Sequence, residues 1–319
     1  MKAPYPNMVA DIGGTNARFG WIDHAGADIA HVRTLSCDSY EGVAQAFEAY
    51  LEEAELPKPA ALAMGVATAV TEDFVQLTNR PSWSFSTREL QGKLALEKLV
   101  VLNDFTALAL ALPSITAEQL VQIGGGKPVP HQPIGLIGPG TGLGVSGLMP
   151  TKDGWLPISG EGGHATMAAA NQREAAVLDI FKQRFGHASA ERALCGNGLV
   201  WLYEALAQLD GIAPQSLTPA DVRTRGIAGD PACKEVIEMF CAMLGTLAGN
   251  LALTLGARGG IYIGGGIAPR LATVVDWSVF RERFEHKGRR KDYLAAIPVF
   301  IICAPISPAL FGAARALDM

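Results

Sequence analysis

Asp11-Ile-Gly-Gly-Thr-Asn-Ala-Arg18 and Ile137-Gly-Pro-Gly-Thr-Gly-Leu-Gly144 decide how this chain is read. Each follows a short apolar run, residues 8–12 and 134–137, and each leads into a second one, 19–22 and 145–149. The pattern is a strand, a Gly-Thr turn and a returning strand, written twice. It implies an internal duplication with one loop per lobe. Gly13, Gly14, Gly138, Gly140, Gly142 and Gly144 let backbone approach a ligand closely. Thr15 and Thr141 add hydroxyl donors to the exposed N–H groups, which is the chemistry that receives polyphosphate. Each loop also reads as a plain hairpin turn. Neither carries the Lys of a P-loop, and neither opens directly into a long helix as a dinucleotide-binding turn does.

Working outward, 39–53 has helical periodicity through Val43, Phe47, Tyr50 and Leu51, and 60–66, 74–77 and 99–102 read as strands. Residues 105–112 continue as a helix that stops at Pro113. Helices are expected over 172–185, 198–209 and 233–255, a buried strand running into another glycine turn over 259–267, a last strand over 298–303, and a terminal helix over 308–317 that packs back on the first lobe. Strands and helices in this order give an α/β fold. The lobe junctions fall near 113–117 and 303–308.

The chain has 319 residues, 49% hydrophobic, enough for a substantial core and about two domains. Lys and Arg number 26 against 31 Asp and Glu, a net charge of −5. Lys287-Gly-Arg-Arg-Lys291 is the one basic cluster that stands out and reads as a solvated turn, so nucleic acid is not an expected partner. Nor is a membrane. No basic region precedes an apolar run at the start, so no signal peptide is expected. The most membrane-like stretch, 239–255, contains Asn250 and two Thr and reads as a buried helix, with Gly245 and Gly249 open to close approach by another element. Five dispersed Cys without a C-x-x-C pair argue against a structural zinc site and fit a reducing, cytoplasmic setting.

Between the two loops lies Asn103-Asp104, after the apolar run Leu99-Val-Val-Leu102 and before a helix-forming stretch. It reads either as a helix N-cap or as a carboxylate at the carboxyl end of a strand, where α/β sheets place ligands. Ser159-Gly-Glu-Gly-Gly-His164 sets an acid and an imidazole in a glycine frame. Carboxylates accept from vicinal hydroxyls and His donates or accepts, which fits a polyol better than zinc, since further spaced ligands are lacking. Glu191 on its own reads as a first-turn helix acid. Asp11, ending the first strand, reads as a turn-initiating acid or as the holder of a hydrated Mg²⁺. Arg18 reads as a phosphate contact or a hairpin cap. Gly264-Gly-Gly266 reads as a plain turn or as a surface bare enough for adenine.

Taken together, these motifs resemble the bacterial glucokinase family of the proteobacterial type, over essentially the whole chain. The resemblance is carried by Asp11-Ile-Gly-Gly-Thr-Asn-Ala-Arg18, Leu102-Asn-Asp-Phe-Thr-Ala107, Gly138-Pro-Gly-Thr-Gly-Leu-Gly144, Gly160-Glu-Gly-Gly-His164, Ser189-Ala-Glu-Arg192 and Gly264-Gly-Gly-Ile-Ala-Pro-Arg270. It implies the duplicated actin-like (ribonuclease H-like) ATPase fold, two lobes around a central cleft, with residues 1–114 plus 305–319 as the small lobe and 115–304 as the large one. It implies ATP- and Mg²⁺-dependent phosphorylation of glucose at its 6-hydroxyl in a cytoplasmic homodimer. By the same resemblance Asp104 is the base, and Asn103, Asp104, Glu161, His164 and Glu191 contact the sugar. The nucleotide set is Asp11, Gly13, Gly14, Thr15, Asn16, Gly138, Gly140, Thr141, Gly142, Gly265 and Gly266, with Asp11 holding Mg²⁺ through water. Ala67-Thr-Ala-Val70 stands where relatives often carry a Pro-containing turn.

The rival readings are a kinase for another hexose, a sugar- or nucleotide-sensing regulator, and a filament-forming actin-like ATPase. Asp104 argues against the sensor, and Glu161 with His164 favours a sugar over a filament.

Overall fold

The computed structural model describes residues 4–77 and 80–319. The chain divides into two compact units: Met1–Ala117 with Trp155–Ser159 and Ala304–Met319, and Glu118–Gly154 with Gly160–Cys303.

The first unit holds β1 (Asn7–Ile12), β2 (Asn16–Ile22), β3 (Ala30–Ser36), α1 (Val43–Glu53), β4 (Ala61–Val66), β5 (Phe74–Val75), β6 (Phe85–Ser86), α2 (Thr87–Lys93), β7 (Lys98–Asn103) and α3 (Asp104–Ala111). The second holds β8 (Leu120–Ile123), β9 (Ile134–Pro139), β10 (Leu143–Thr151), the ends of β11 (Gly154–Gly160), α4 (Gln172–Phe185), α5 (Ala190–Ala193), α6 (Gly196–Leu209), α7 (Pro219–Ile227), α8 (Pro231–Leu255), β12 (Ile261–Ile263), α9 (Ala268–Leu271), α10 (Ser278–Glu285), α11 (Lys291–Ala295) and β13 (Val299–Ile302). The terminal helix α12 (Ala309–Leu317) belongs to the first unit.

The sheet of the first unit runs β3-β2-β1-β4-β7. β1 and β2 form the expected antiparallel hairpin, while β1, β4 and β7 are mutually parallel neighbours. Strand alternation sorts the two faces. Met8, Ala10 and Ile12 of β1 and Leu62, Met64 and Val66 of β4 join a core with Phe47 and Tyr50 of α1, where the Tyr50 and Phe19 rings lie 5.2 Å apart. Val9, Ala61 and Ala63 face the other way and pack on Leu310, Ala313 and Leu317 of α12. Small residues on that face let helices come close. A Cβ on Gly312 of α12 would fall inside the carbonyl oxygen of Ala107 in α3, so only glycine fits there. The Arg315 guanidinium adds a 3.2 Å bond to the Leu110 carbonyl. α12 thereby backs the helix that begins at Asp104.

The strands of the second unit lie in the order β10-β9-β12-β13-β8. β9 and β10 pair antiparallel as the second hairpin; β9, β12 and β13 are parallel neighbours. Among the described residues α8 is the one helix long and apolar enough to cross a membrane, and 72% of its most apolar stretch is buried within the protein, as a core helix requires. The element that approaches Gly245 and Gly249 is α10, whose Phe280 and Phe284 carbonyls occupy the space their side chains would take. Beside it, Arg283 of α10 makes a bidentate pair with the buried Glu174 at 2.7 and 2.9 Å and a third bond to Thr246. Glu174 also accepts from the Ala170 N–H and the Asn171 amide, so the charge is paired and its oxygens are fully used.

Some expectations move. The helix expected from residue 39 starts at Val43, because Gly42 is extended and a separate 3-10 turn occupies Cys37–Ser39. Within 259–267, expected as a strand running into a glycine turn, the strand is Ile261–Ile263, and the Gly264 N–H closes its ladder on the Ile137 carbonyl at 2.9 Å. The basic turn at 287–291 is not wholly solvated: Lys287 Nζ holds the Thr246 carbonyl at 3.2 Å and Asn250 Oδ1 at 2.7 Å. Burial lowers the Lys287 ammonium from its ordinary value, with Arg283 adding to the shift.

Candidate active site

In the first unit, parallel register brings the candidate residues to one edge. Ile12 of β1 pairs with Val66 of β4, and Val66 with Asn103 of β7, so three strands end in a row. The turn Gly13–Thr15 leaves the first of them and Asp104 leaves the third. This is the carboxyl end of parallel strands, where open α/β sheets bind ligands.

Asn103 and Asp104 divide their tasks. Asn103 is the N-cap: its Oδ1 accepts from the N–H groups of Phe105 at 2.9 Å and Thr106 at 3.2 Å. Its amide donates to the Thr68 carbonyl and to Asp104 Oδ1, both at 3.1 Å. The Ala67-Thr-Ala-Val70 turn therefore fixes the Asn103 side chain without a proline. Asp104 is the first helical residue, and its Oδ1 also accepts from its neighbour's N–H, that of Phe105, at 2.9 Å. The half-buried carboxylate sits in the first turn of α3, where the helix dipole favours a negative charge. Asn103 is the N-cap, and Asp104 shares the Phe105 N–H with it.

The first Gly-Thr loop is braced by residues far away in sequence. The Gly13 N–H bonds the Asn16 carbonyl at 2.9 Å, closing the turn, and the Cys37 N–H bonds the Thr15 carbonyl at 2.9 Å. Arg80 Nε donates to the Gly14 carbonyl at 2.8 Å, while its Nη1 reaches the Cys37 carbonyl and its Nη2 pairs with Asp38. Asp11 Oδ2 accepts from Ser307 at 2.7 Å and from Arg18 at 3.3 Å. Arg18 is thus an ion-pair partner of Asp11. Arg80, Cys37 and Ser307 had no signal in sequence reasoning, since each acts across a separation set only by the fold. Burial pushes the Cys37 thiol up and Arg80 offsets part of that, so it is not a ready nucleophile.

The second unit brings its own candidates together around the β9–β10 hairpin. The Gly140 N–H bonds the Gly142 carbonyl at 2.8 Å to close the turn, and the Gly196 N–H at the start of α6 bonds the Gly140 carbonyl at 2.8 Å. Gly264-Gly-Gly266 lies alongside, with the Ile267 N–H on the Pro139 carbonyl at 3.1 Å. Gly265 has φ +76°, a left-handed conformation that side chains avoid. The turn bearing Glu161 and His164 packs on β10, because Gly163 has no side chain to meet the Leu143 carbonyl. His164 Nε2 and Glu161 Oε2 stand 4.0 Å apart, and both side chains are more than half exposed. The following segment zips to the approach of α5: the Ala190 N–H bonds the Ala165 carbonyl at 2.9 Å, and Thr166 bridges Ser189. That brings Glu191 to the same hairpin, where its Oε2 accepts the Leu143 N–H at 2.9 Å. Glu191 does stand in the first turn of α5, as its reading in isolation has it, and its carboxylate holds this hairpin as well. Among the described residues no cluster of three or more His, Cys, Asp or Glu is arranged to hold a metal ion.

A glucokinase family model matches residues 8–319. The chain is 51% identical over 316 residues to the glucokinase of Aromatoleum aromaticum, covering 98% of this chain and 95% of that protein. It is 49% identical over 314 residues to the glucokinase of Chromobacterium violaceum, covering 98% and 89%. The crystal structure of a glucokinase from an Antarctic psychrotroph superposes with a TM-score of 0.86 at 35% identity, covering 98% of each chain. With the carboxylate at the end of β7, the two braced Gly-Thr loops and this match along nearly its full length, the chain belongs to the glucokinase family.

Proposed function

We propose that this protein transfers the γ-phosphoryl group of ATP to the 6-hydroxyl of glucose, giving glucose 6-phosphate and ADP, the first step of glycolytic glucose use. The observation that carries the mechanism is the division of labour at the start of α3, where Asn103 caps the helix and Asp104 presents a carboxylate.

A sugar hydroxyl is a weak acid, and in a loose phosphoryl-transfer transition state it keeps its proton until late. Asp104 orients the hydroxyl and takes the proton as the bond to phosphorus forms. Asn103, Glu161, His164 and Glu191 bond the remaining hydroxyls, so that a missing or inverted one leaves a polar group unpaired. Gly13, Gly14, Thr15 and Asn16 of the first loop and Gly138, Gly140, Thr141 and Gly142 of the second supply N–H and hydroxyl donors to the phosphates. Gly265 and Gly266 offer the bare backbone for adenine.

Mg²⁺ fits the residues present. Both side-chain bonds to Asp11 fall on Oδ2, which leaves Oδ1 to accept from metal-bound water. Mg²⁺ keeps several waters and needs few protein carboxylates. When bound, it neutralises charge on the phosphoryl oxygens. The finer fold reading is the duplicated actin-like one, supported by a Gly-Thr hairpin in each unit. Residues 1–114 plus 305–319 would form the small lobe and 115–304 the large one. A cytoplasmic homodimer completes the proposal, on family resemblance.

Glu161→Gln and His164→Ala test the sugar assignment. Each side chain has few partners within the protein, so its loss falls on the ligand. A hydrogen bond to a charged group contributes about 1.5–3 kcal/mol, which corresponds to a rise in glucose KM of roughly 10- to 100-fold. Calorimetric ATP binding without sugar should change little. Equal damage to sugar-free ATP binding would move both residues to the nucleotide site.

A further inference from the structure

The Leu143 peptide is gripped from two sides. Its N–H is held by Glu191 Oε2 at 2.9 Å, and its carbonyl fills the space beside Gly163. Leu143 immediately follows the Gly140-Thr-Gly142 turn. A Cβ on Gly142 would stand 2.5 Å from the same Glu191 oxygen, so the carboxylate lies flat against the turn itself. Only glycine at 142 lets it do so.

Glu191 reaches the hairpin from a stiff mount. α5 is a single turn, too short to hold its own orientation. It is fixed by its neighbours: the Arg192 guanidinium stacks over Phe185 of α4 at 4.4 Å and over Trp201 of α6 at 5.3 Å. The Ala190 N–H is tied to Ala165, directly after His164. One short helix is therefore joined at once to the Glu161–His164 turn and to the second Gly-Thr hairpin.

We infer that Glu191, besides any sugar contact, is a positioning residue for the nucleotide: its carboxylate fixes the Leu143 N–H and thereby sets the Gly140-Thr-Gly142 turn to receive the ATP polyphosphate. This rests on reading that turn as a phosphate loop. A buried N–H deprived of its acceptor must find water or another carbonyl, and either shift displaces the adjoining turn. A carboxylate beside phosphate is electrostatically unfavourable, so charge alone gives no reason for Glu191 to stand here. Its geometry as an acceptor does.

Comparison of Glu191→Gln with Glu191→Ala separates the two effects. Both remove the charge, but only Gln keeps an oxygen able to reach the Leu143 N–H. Sugar-free ATP binding, measured by calorimetry on folded protein, should be roughly tenfold or more weaker in the Ala variant than in the Gln variant. Gly142→Ala, which drives a methyl against Glu191, should weaken ATP binding in the parent. That cost should largely disappear in the Glu191→Ala background, where the colliding oxygen is gone. Equal ATP affinity of the Gln and Ala variants would overturn the inference, as would a Gly142→Ala cost that is the same in both backgrounds. Thr141→Ala distinguishes this from failure of the underlying reading. If it weakens ATP binding while the Gln and Ala variants agree, the phosphate loop stands and the role of Glu191 falls. If it leaves ATP binding unchanged, both fall.

Discussion

Asp104→Asn is expected to lower kcat for glucose phosphorylation by about 10²- to 10⁴-fold, the usual cost of removing a general base. The amide keeps the size of the carboxylate and can still accept the Phe105 N–H, so α3 should start as before. Asn103, which caps the helix, is untouched. Glucose binding should persist, because the amide oxygen still accepts a hydrogen bond from a hydroxyl. Single-turnover phosphoryl transfer, paired with glucose binding by calorimetry, reads the two effects separately. Near-parent turnover in a folded variant would reduce Asp104 to a first-turn acid of α3.

Gly312→Ala is expected to destabilise the protein by about 3 kcal/mol, the upper end of the usual cost of overpacking. Alanine is the better helix former, worth up to about 1 kcal/mol over glycine in a helix interior. Here that gain is outweighed, because the new methyl would coincide with the Ala107 carbonyl oxygen. The obstacle is backbone, and no rotamer change relieves it. α12 must separate from α3 and lift off the small face of β4 at Ala61 and Ala63. Thermal unfolding read on the parent and the variant tests this. The variant should unfold at a lower temperature and lose glucose kinase activity on heating before the parent does. Unchanged stability would mean that the two helices do not meet at this point.

Local chemistry made the frame of the molecule readable. Apolar runs broken by Gly-Thr turns marked both hairpins, and the helix expected over 172–185 is Gln172–Phe185, set between the Asn171 cap and the left-handed Gly186. The sequence was less informative where a segment lacks an apolar rhythm. β3 is mostly exposed, with Leu35 its one buried residue, so nothing alternates along it. Short helices such as α5 and α11 owe their form to what they pack on. In the site, the candidate acids were visible as residues, but their tasks were not. Asn103 and Asp104 carried the same cap preference, and only the fold shows that Asn103 is the N-cap and Asp104 the first helical residue. The bond from Glu191 to Leu143 crosses 48 residues, and the one from Ser307 to Asp11 crosses 296. No spacing rule reaches so far.

The central claim is most directly tested by following ATP conversion to ADP across a panel of glucose, mannose, fructose and an amino sugar, with the product identified by phosphorus NMR. The expected result is ADP and glucose 6-phosphate in equal amounts, the highest kcat/KM for glucose, and little ADP without sugar. ADP release at the same rate without sugar, or a higher kcat/KM for another hexose, would contradict it.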